Sequence, residues 1–239
     1  PCNPGYVKDS NGNCVLEDKI DFNPSFDDYP CQKGIVETVI NNNSELSNFI
    51  LNAFGGKQND VNLTYEIKDL VNPSPDVLNN GGTTPNIMYA NGKLDLTIYL
   101  DTQCAQEASD LFIATTIIHE NVHALLTYMN GIVEFNINSN NPSLNELAQA
   151  YAKWKGNPNN PELTDIDTEH RYMTELVDKM TNALEKFGES KGYNIKRSYY
   201  NALCWSSDMQ SFAPSDLKSS IDYAYMNERL LGGTTYSKG

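Results

Sequence analysis

The apolar and polar positions of this chain predict a helical segment, a short sheet and then a longer helical half. In KLDLTIYL (93–100), four apolar residues alternate with four that are charged, hydroxylated or amphipathic, which is typical of a strand with one buried face. The preceding stretches NLTYEIKDL (62–70) and PNIMYANG (85–92) carry the β-branched and aromatic residues of strands. The Asn-Gly pair at 91–92 suits a hairpin turn into the last strand.

Most other apolar residues recur at intervals of three and four, which is typical of amphipathic helices. Between 34 and 54 an Asn-rich run interrupts this spacing, so we predict two helices with Ser44 as the N-cap of the second. Further helices are predicted at about 102–130, 144–155, 165–187, 198–212 and 215–230. Because the strands precede most of the helices instead of alternating with them, the predicted fold class is α+β.

The composition indicates one folded domain with an N-terminal extension. The chain has 239 residues, of which 39% are hydrophobic, and this is enough to bury one sizeable core. Residues 1–34 are rich in Pro, Gly, Asn and Asp and show weak periodicity. We therefore predict an N-terminal arm over 1–34 and a single domain over 35–239.

The acidic balance of the chain disfavours nucleic acids and anionic membrane surfaces as partners. There are 31 acidic and 17 basic residues, the formal net charge is −14, and the longest basic run is Lys196-Arg197. Phosphate groups are bound by concentrated basic surfaces. No stretch approaches the roughly 18 uncharged apolar residues of a membrane-spanning helix.

Five cysteines, at positions 2, 14, 31, 104 and 204, lack the C-x-x-C spacing of a structural zinc site. A disulfide between Cys2 and Cys14 would close a small loop and indicate an oxidising compartment; the alternative is free thiols in a cytosolic protein. The chain begins at Pro1 without Met or a signal peptide. We expect a processed product that acts outside the cytoplasm.

The stretch IIHENVHALL (117–126) places His119 and His123 four residues apart, so both imidazoles can reach one metal ion from the same side of a helix. Glu120 follows His119 directly, so its side chain points about 100° round the helix axis from that of His119. In an HExxH site, zinc lowers the pKa of its bound water to about 7, and a glutamate at this position can take the proton as the water attacks a carbonyl. The flanking residues are apolar, so the helix is buried, and a shared metal ion would satisfy polar groups that are costly when unpaired. The alternative is a pair of core histidines bonded to backbone or water.

A catalytic zinc requires a third protein ligand, for which the sequence offers His170, Glu146 or a carboxylate near His170 such as Glu169. Thr164 and Asp167 resemble a capping box and Gly188 ends the predicted helix. His170 is the polar member of an otherwise apolar stripe, which favours it as the ligand. The stripe comprises Ile166, His170, Met173, Val177, Met180, Leu184 and Phe187.

With these two histidine segments, the chain resembles the zincin metallopeptidases, closest to the SprT-like type with three histidine ligands. It also resembles secreted or surface proteins of the Bacteroidetes that carry HExxH, a downstream H-x-x-M helix and a segment similar to SYYNALCWSSDMQSF (198–212). The resemblance covers roughly residues 86–212. It implies a zincin-like core, with a small mixed sheet beside a buried motif helix and a helical C-terminal half. It further implies zinc bound by His119, His123 and His170, with Glu120 as the general base. The strand KLDLTIYL would hold the substrate backbone by strand addition.

These patterns predict a zinc metallopeptidase, more an endopeptidase than an exopeptidase, that cleaves peptide or protein substrates. The basic regions of SprT-like proteins that act on DNA-bound substrates are absent here, and so is the histidine extension of metzincins, since Leu126 and Met129 occupy those positions. Two alternatives remain: a non-catalytic surface or binding module with a structural or vestigial metal site, and a peptidase effector delivered to another cell. The candidate oxyanion stabilisers are Arg171, Tyr172, Tyr199 and Tyr200, and no single one of them is favoured.

Overall fold

A mixed sheet of four strands forms one side of the fold, and most of the helices pack together beside it. The computed structural model describes residues 6–8, 14–16, 20–55, 61–70, 81–86, 94–135, 142–156 and 165–229. The strands are β1 (Tyr6–Lys8), β2 (Cys14–Leu16), β3 (Ile20–Phe22), β4 (Val61–Lys68), β5 (Gly81–Asn86) and β6 (Leu94–Asp101). The helices are α1 (Pro30–Ile40), α2 (Glu45–Phe54), α3 (Thr102–Glu107), α4 (Asp110–Phe135), α5 (Pro142–Lys155), α6 (Asp165–Met173), α7 (Val177–Ser190), α8 (Arg197–Cys204) and α9 (Lys218–Arg229). Short 3₁₀ helices occupy Pro24–Asp28, Thr174–Leu176, Ser207–Phe212 and Ser215–Leu217.

The strand order in the main sheet is β3-β4-β6-β5. β3, β4 and β6 are parallel, and β5 runs antiparallel to β6. In β4 and β6 the side chains alternate between buried and partly exposed along the strand, as the sequence pattern predicts for one buried face. A separate two-stranded ribbon pairs β1 with β2. A mostly helical chain with this small sheet confirms the predicted α+β class.

β6 is an interior strand, so the expectation that it holds a substrate backbone is wrong. Its backbone is paired with β4 along Leu94–Asp101 and with β5 from Gly81 to Asn86, which leaves it no free edge for strand addition. The free edge on this side of the sheet belongs to β5, to which no other described strand is paired. The predicted hairpin turn at 91–92 lies outside the described residues.

The two helices predicted between 34 and 54 are confirmed, and so is Ser44 as the N-cap of the second. Ser44 adopts an extended backbone, and its side chain accepts a hydrogen bond from the Ser47 N–H at 3.0 Å, which begins α2. Ile20–Phe22 and the buried Phe26 fall in the stretch predicted as an N-terminal arm; β3 pairs with β4 and Phe26 belongs to the core.

Several predicted helices are interrupted in the structure or end at other residues than expected. The helix predicted at 102–130 is two helices, because the Ser109 hydroxyl accepts from the Phe112 N–H and starts α4 anew. The helix predicted at 165–187 is interrupted by the 3₁₀ turn Thr174–Leu176. Gly188 does not end it: α7 continues to Ser190, and Gly192, with φ of 76°, makes the left-handed turn beyond it.

Helix α4 is the centre of the core. Nearly all its side chains from Leu111 to Met129 are buried, and it contacts β5 and β6 on one side and α1, α5 and α7 elsewhere. Burial all round explains why its apolar residues form an almost continuous run instead of a single stripe. The polar residues of the motif are therefore held inside the fold.

In the described part of the chain, no helix is long and apolar enough to cross a membrane. Cys31, Cys104 and Cys204 are free thiols, the last two buried. The expected disulfide between Cys2 and Cys14 stays a prediction, since Cys2 and the Cys14 side chain lie outside the described residues. The compartment therefore stays a prediction.

Candidate metal centre

Three histidine side chains from two helices converge on one point. His119 and His123 lie one turn apart on α4, and His170 approaches from α6. The Nε2 atom of His123 lies 3.1 Å from Nε2 of His119 and 3.2 Å from Nε2 of His170. Among the residues that the structure describes, these three form the cluster of His, Cys, Asp or Glu side chains that could hold a metal ion.

Two of the three distances between ligand nitrogens, 3.1 and 3.2 Å, are close to the spacing of ligands on a tetrahedral metal ion, and the three ligand atoms all lie within 4.8 Å of one another. Zinc binds imidazole nitrogen at 2.0–2.1 Å, so two such ligands at a tetrahedral angle are about 3.3 Å apart. Because the Glu169 carboxylate accepts from Nδ1 of His123 at 2.6 Å, the neutral His123 presents a lone pair at Nε2. One hydrogen bond can satisfy one neighbouring Nε2 but leaves the other facing a lone pair. A cation shared by all three removes this conflict.

The surroundings of the three imidazoles shift their pKa values in different directions. Burial, with the neighbouring histidines, holds the pKa of His119 well below its ordinary value and also lowers that of His170. Burial alone would lower the pKa of His123, but its hydrogen bond with Glu169 and the charge of Glu120 raise it above the ordinary value. The site thus keeps the imidazoles of His119 and His170 unprotonated and places carboxylates near His123, and nitrogen donors with negative charge nearby suit a divalent metal ion.

Glu120 is buried beside the cluster, with 7% of its surface exposed. The first residue of β5, Gly81, lies so close to α4 here that a Cβ at this position would be 2.8 Å from Cγ2 of Thr116 and 3.4 Å from Cγ of Glu120. Glycine therefore permits the close approach of strand and helix. As a result, the sheet edge and the Glu120 side chain lie next to one another.

Two buried polar contacts hold α4 in position. Tyr65 on β4 donates its hydroxyl to Oδ1 of Asn121, which lies inside the histidine motif. Glu228 on α9 is fully buried and lies against the start of α4. It accepts hydrogen bonds from Ser109 Oγ at 2.5 Å and from Tyr199 Oη at 2.8 Å. The sequence analysis did not identify Glu228. The Ser109-Asp110 pair is a signal for the helix cap that Glu228 contacts, since such residues commonly cap helices.

An open cleft of about 740 Å³ reaches the cluster on the His170 side. Its far wall is the 3₁₀ segment Ser207–Phe212, whose Asp208 lies near enough to His123 and His170 for its negative charge to oppose the lowering of their pKa by burial. Ser207 holds a left-handed backbone, φ 58°, which costs a non-glycine residue about 1 kcal/mol or more. The lining residues are Asp167, His170, Ser207, Asp208, Gln210, Ser211 and Lys218.

The structure shows which of the candidates for the third metal ligand lies at the histidine cluster. It brings His170 to the cluster and places Glu146 on the exposed face of α5, outside it. From His170 to Phe187 the predicted apolar stripe is buried; the Ile166 side chain and Thr164 lie outside the described residues. Glu169, considered as a ligand, instead contacts the far side of the His123 ring.

The four candidate oxyanion stabilisers do not line the cleft. Tyr172 packs against Tyr151 with ring centroids 4.6 Å apart, and Tyr199 donates to Glu228. Tyr200 is buried against Gly188, and Arg171 is exposed. Their contacts give Tyr172, Tyr199 and Tyr200 structural roles.

Comparisons with protein-family models, curated proteins and solved structures yield no match to this chain. What the protein does is therefore argued from its own residues: an α+β fold that buries three convergent histidines able to hold a metal ion.

Proposed function

We propose that this protein is a zinc-dependent metallopeptidase that hydrolyses peptide bonds of protein or peptide substrates. The observation that carries the proposal is the convergence of His119, His123 and His170, the last of which lines an open cleft. Three protein ligands with one side left open distinguish a catalytic zinc site from a closed structural one. Glu120 supports the proposal, because a structural site has no need of a carboxylate next to its ligands.

The three histidines would hold the ion through their Nε2 atoms, and the ion would supply Lewis-acid activation of water and of the scissile carbonyl. Glu120 then acts as the general base. Its carboxylate takes the proton from the attacking water and passes it to the leaving amine. The buried position of Glu120 keeps competing solvent away from this proton transfer.

In this proposal a substrate would lie on two surfaces of the fold. β5 has one edge that pairs with no other strand in the described part of the chain, and its first residue, Gly81, lies beside Glu120 of the motif helix. An extended peptide can pair with such an edge. The cleft lined by Asp208 and Ser211 opens on the His170 side. We propose that the scissile bond lies between these two surfaces.

Glu120→Gln is the direct test of the proposed function. The variant keeps the shape of the side chain but cannot accept the proton, so we expect one bound zinc per chain and a 10²- to 10⁴-fold lower kcat on casein or a peptide library. Zinc content and cleavage are measured on the same preparations. If wild type binds zinc but cleaves no substrate, the non-catalytic binding module is the correct function instead.

Blocking the cleft should separate substrate access from metal binding. Ser211 is exposed on the cleft wall, and Ser211→Trp is expected to lower kcat/KM at least tenfold while zinc affinity stays unchanged. Ser198→Trp, at an exposed position on α8 outside this cleft, is the matched control. Equal activity in the two variants would mean that substrates do not enter past Ser211.

A further inference from the structure

Glu169 contacts one of the convergent histidines on the side that faces away from the cluster. Its Oε2 lies 2.6 Å from Nδ1 of His123, and both side chains are largely shielded from solvent, with 23% and 14% of their surfaces exposed. The opposite nitrogen of the same ring, Nε2, faces His119 and His170. The imidazole of His123 therefore separates the carboxylate from the point where a metal ion would lie.

This contact determines which nitrogen of His123 carries the proton. An ionised carboxylate only accepts hydrogen bonds, so Nδ1 must donate, and the lone pair of the neutral ring is left on Nε2. That is the tautomer a metal ion requires at Nε2. A carboxylate on the second nitrogen also fixes the ring orientation and makes the ligand more basic.

We propose that Glu169 is a positioning residue that orients His123 for metal binding, and that it is not itself a ligand. The inference rests on the metal-binding part of the proposed function and does not depend on peptidase activity. Glu169 and His170 are consecutive on α6, so the docking of this nine-residue helix on α4 delivers the third ligand and the orienting carboxylate together. The α6 helix thereby completes the site on both sides of the His123 ring.

The test compares zinc affinity, measured by competition with a chromophoric chelator, in Glu169→Ala, Glu169→Gln and wild type. We expect 10- to 100-fold weaker binding in Glu169→Ala, which is the usual cost of losing a carboxylate behind a histidine ligand. Glu169→Gln should recover part of the affinity, because its amide oxygen still accepts from Nδ1. Glu175→Ala changes an exposed glutamate just after the same helix and should bind zinc like wild type.

A second measurement reads the orientation of His123 without any metal. In ¹⁵N-correlated spectra of metal-free protein at about pH 9, where imidazole is neutral, His123 should carry its proton on Nδ1 in wild type and in Glu169→Gln. In Glu169→Ala the two tautomers should mix.

Two results would overturn the role of Glu169. One is a Glu169→Ala protein with wild-type zinc affinity and an unchanged His123 tautomer. The other is a Glu169→Gln protein that loses zinc as completely as a histidine variant and has an altered Co²⁺ absorption spectrum, since that would make Glu169 a ligand. If wild type binds no zinc, the proposed function fails, and the tautomer of His123 still decides whether Glu169 orients the ring.

Discussion

His170→Ala is expected to abolish zinc binding and with it the stabilisation that zinc provides. His170 is 5% exposed and is the member of the three-histidine cluster that lies on a different helix from the other two. A ligand present at 1,000 times its dissociation constant stabilises the folded state by about 4 kcal/mol, which corresponds to about 10 °C in the Tm of a chain of this size. Wild type should show this difference between zinc and chelator, and His170→Ala should show none.

Measuring the zinc-dependent difference keeps this test independent of packing. His170→Ala also leaves a small cavity, which lowers the Tm of the metal-free protein but contributes equally with and without zinc. Arg171→Ala, at the next and exposed position of α6, should keep one zinc per chain and the full increase in Tm. A His170→Ala protein with wild-type zinc affinity would exclude the three-histidine site.

Glu228→Ala is expected to lower the free energy of unfolding by about 3 kcal/mol. The side chain is fully buried and accepts from Ser109 Oγ and Tyr199 Oη, so its removal eliminates two hydrogen bonds and leaves the buried Ser109 hydroxyl without this acceptor. Ser109 in turn caps α4, and a negative charge is favourable at a helix N-terminus. Urea unfolding followed by circular dichroism gives the free energy.

Two further variants separate charge from packing at Glu228. Glu228→Gln retains the volume and one acceptor, so we expect a loss of about 1–2 kcal/mol. Glu189→Ala, on the exposed face near the end of α7, should stay within about 0.5 kcal/mol of wild type. A loss of that small size in Glu228→Ala would show that this carboxylate does not hold the start of α4.

The features of the site that depend on helical periodicity could be predicted from sequence. His119, Glu120 and His123 lie within five residues, and their relative directions follow from the helix repeat alone. The buried stripe that contains His170 has the same origin. The hydrogen bond that ties the Ser109 cap to Glu228 could not be predicted in this way, because the two residues are 119 positions apart in the sequence.

The local sequence pattern also could not predict which strand lies at the edge of the sheet formed by the described strands. Both β5 and β6 come from stretches with strand-like composition, but the order of strands decides which of them has an unpaired edge. The alternating pattern of β6 correctly predicted a strand with one buried face, and it carried no information on its neighbours.

The sequence by itself determined the HExxH spacing, the burial of its helix and the α+β class, because these follow from periodicity and composition over short windows. Only the tertiary structure decided that His170 meets the motif across 47 residues and that Glu146 does not. It alone placed Glu169 on Nδ1 of His123 instead of on the metal side. The physical reason is that the directions of side chains on one helix are set locally, whereas the distance between two helices is set by the packing of the entire core.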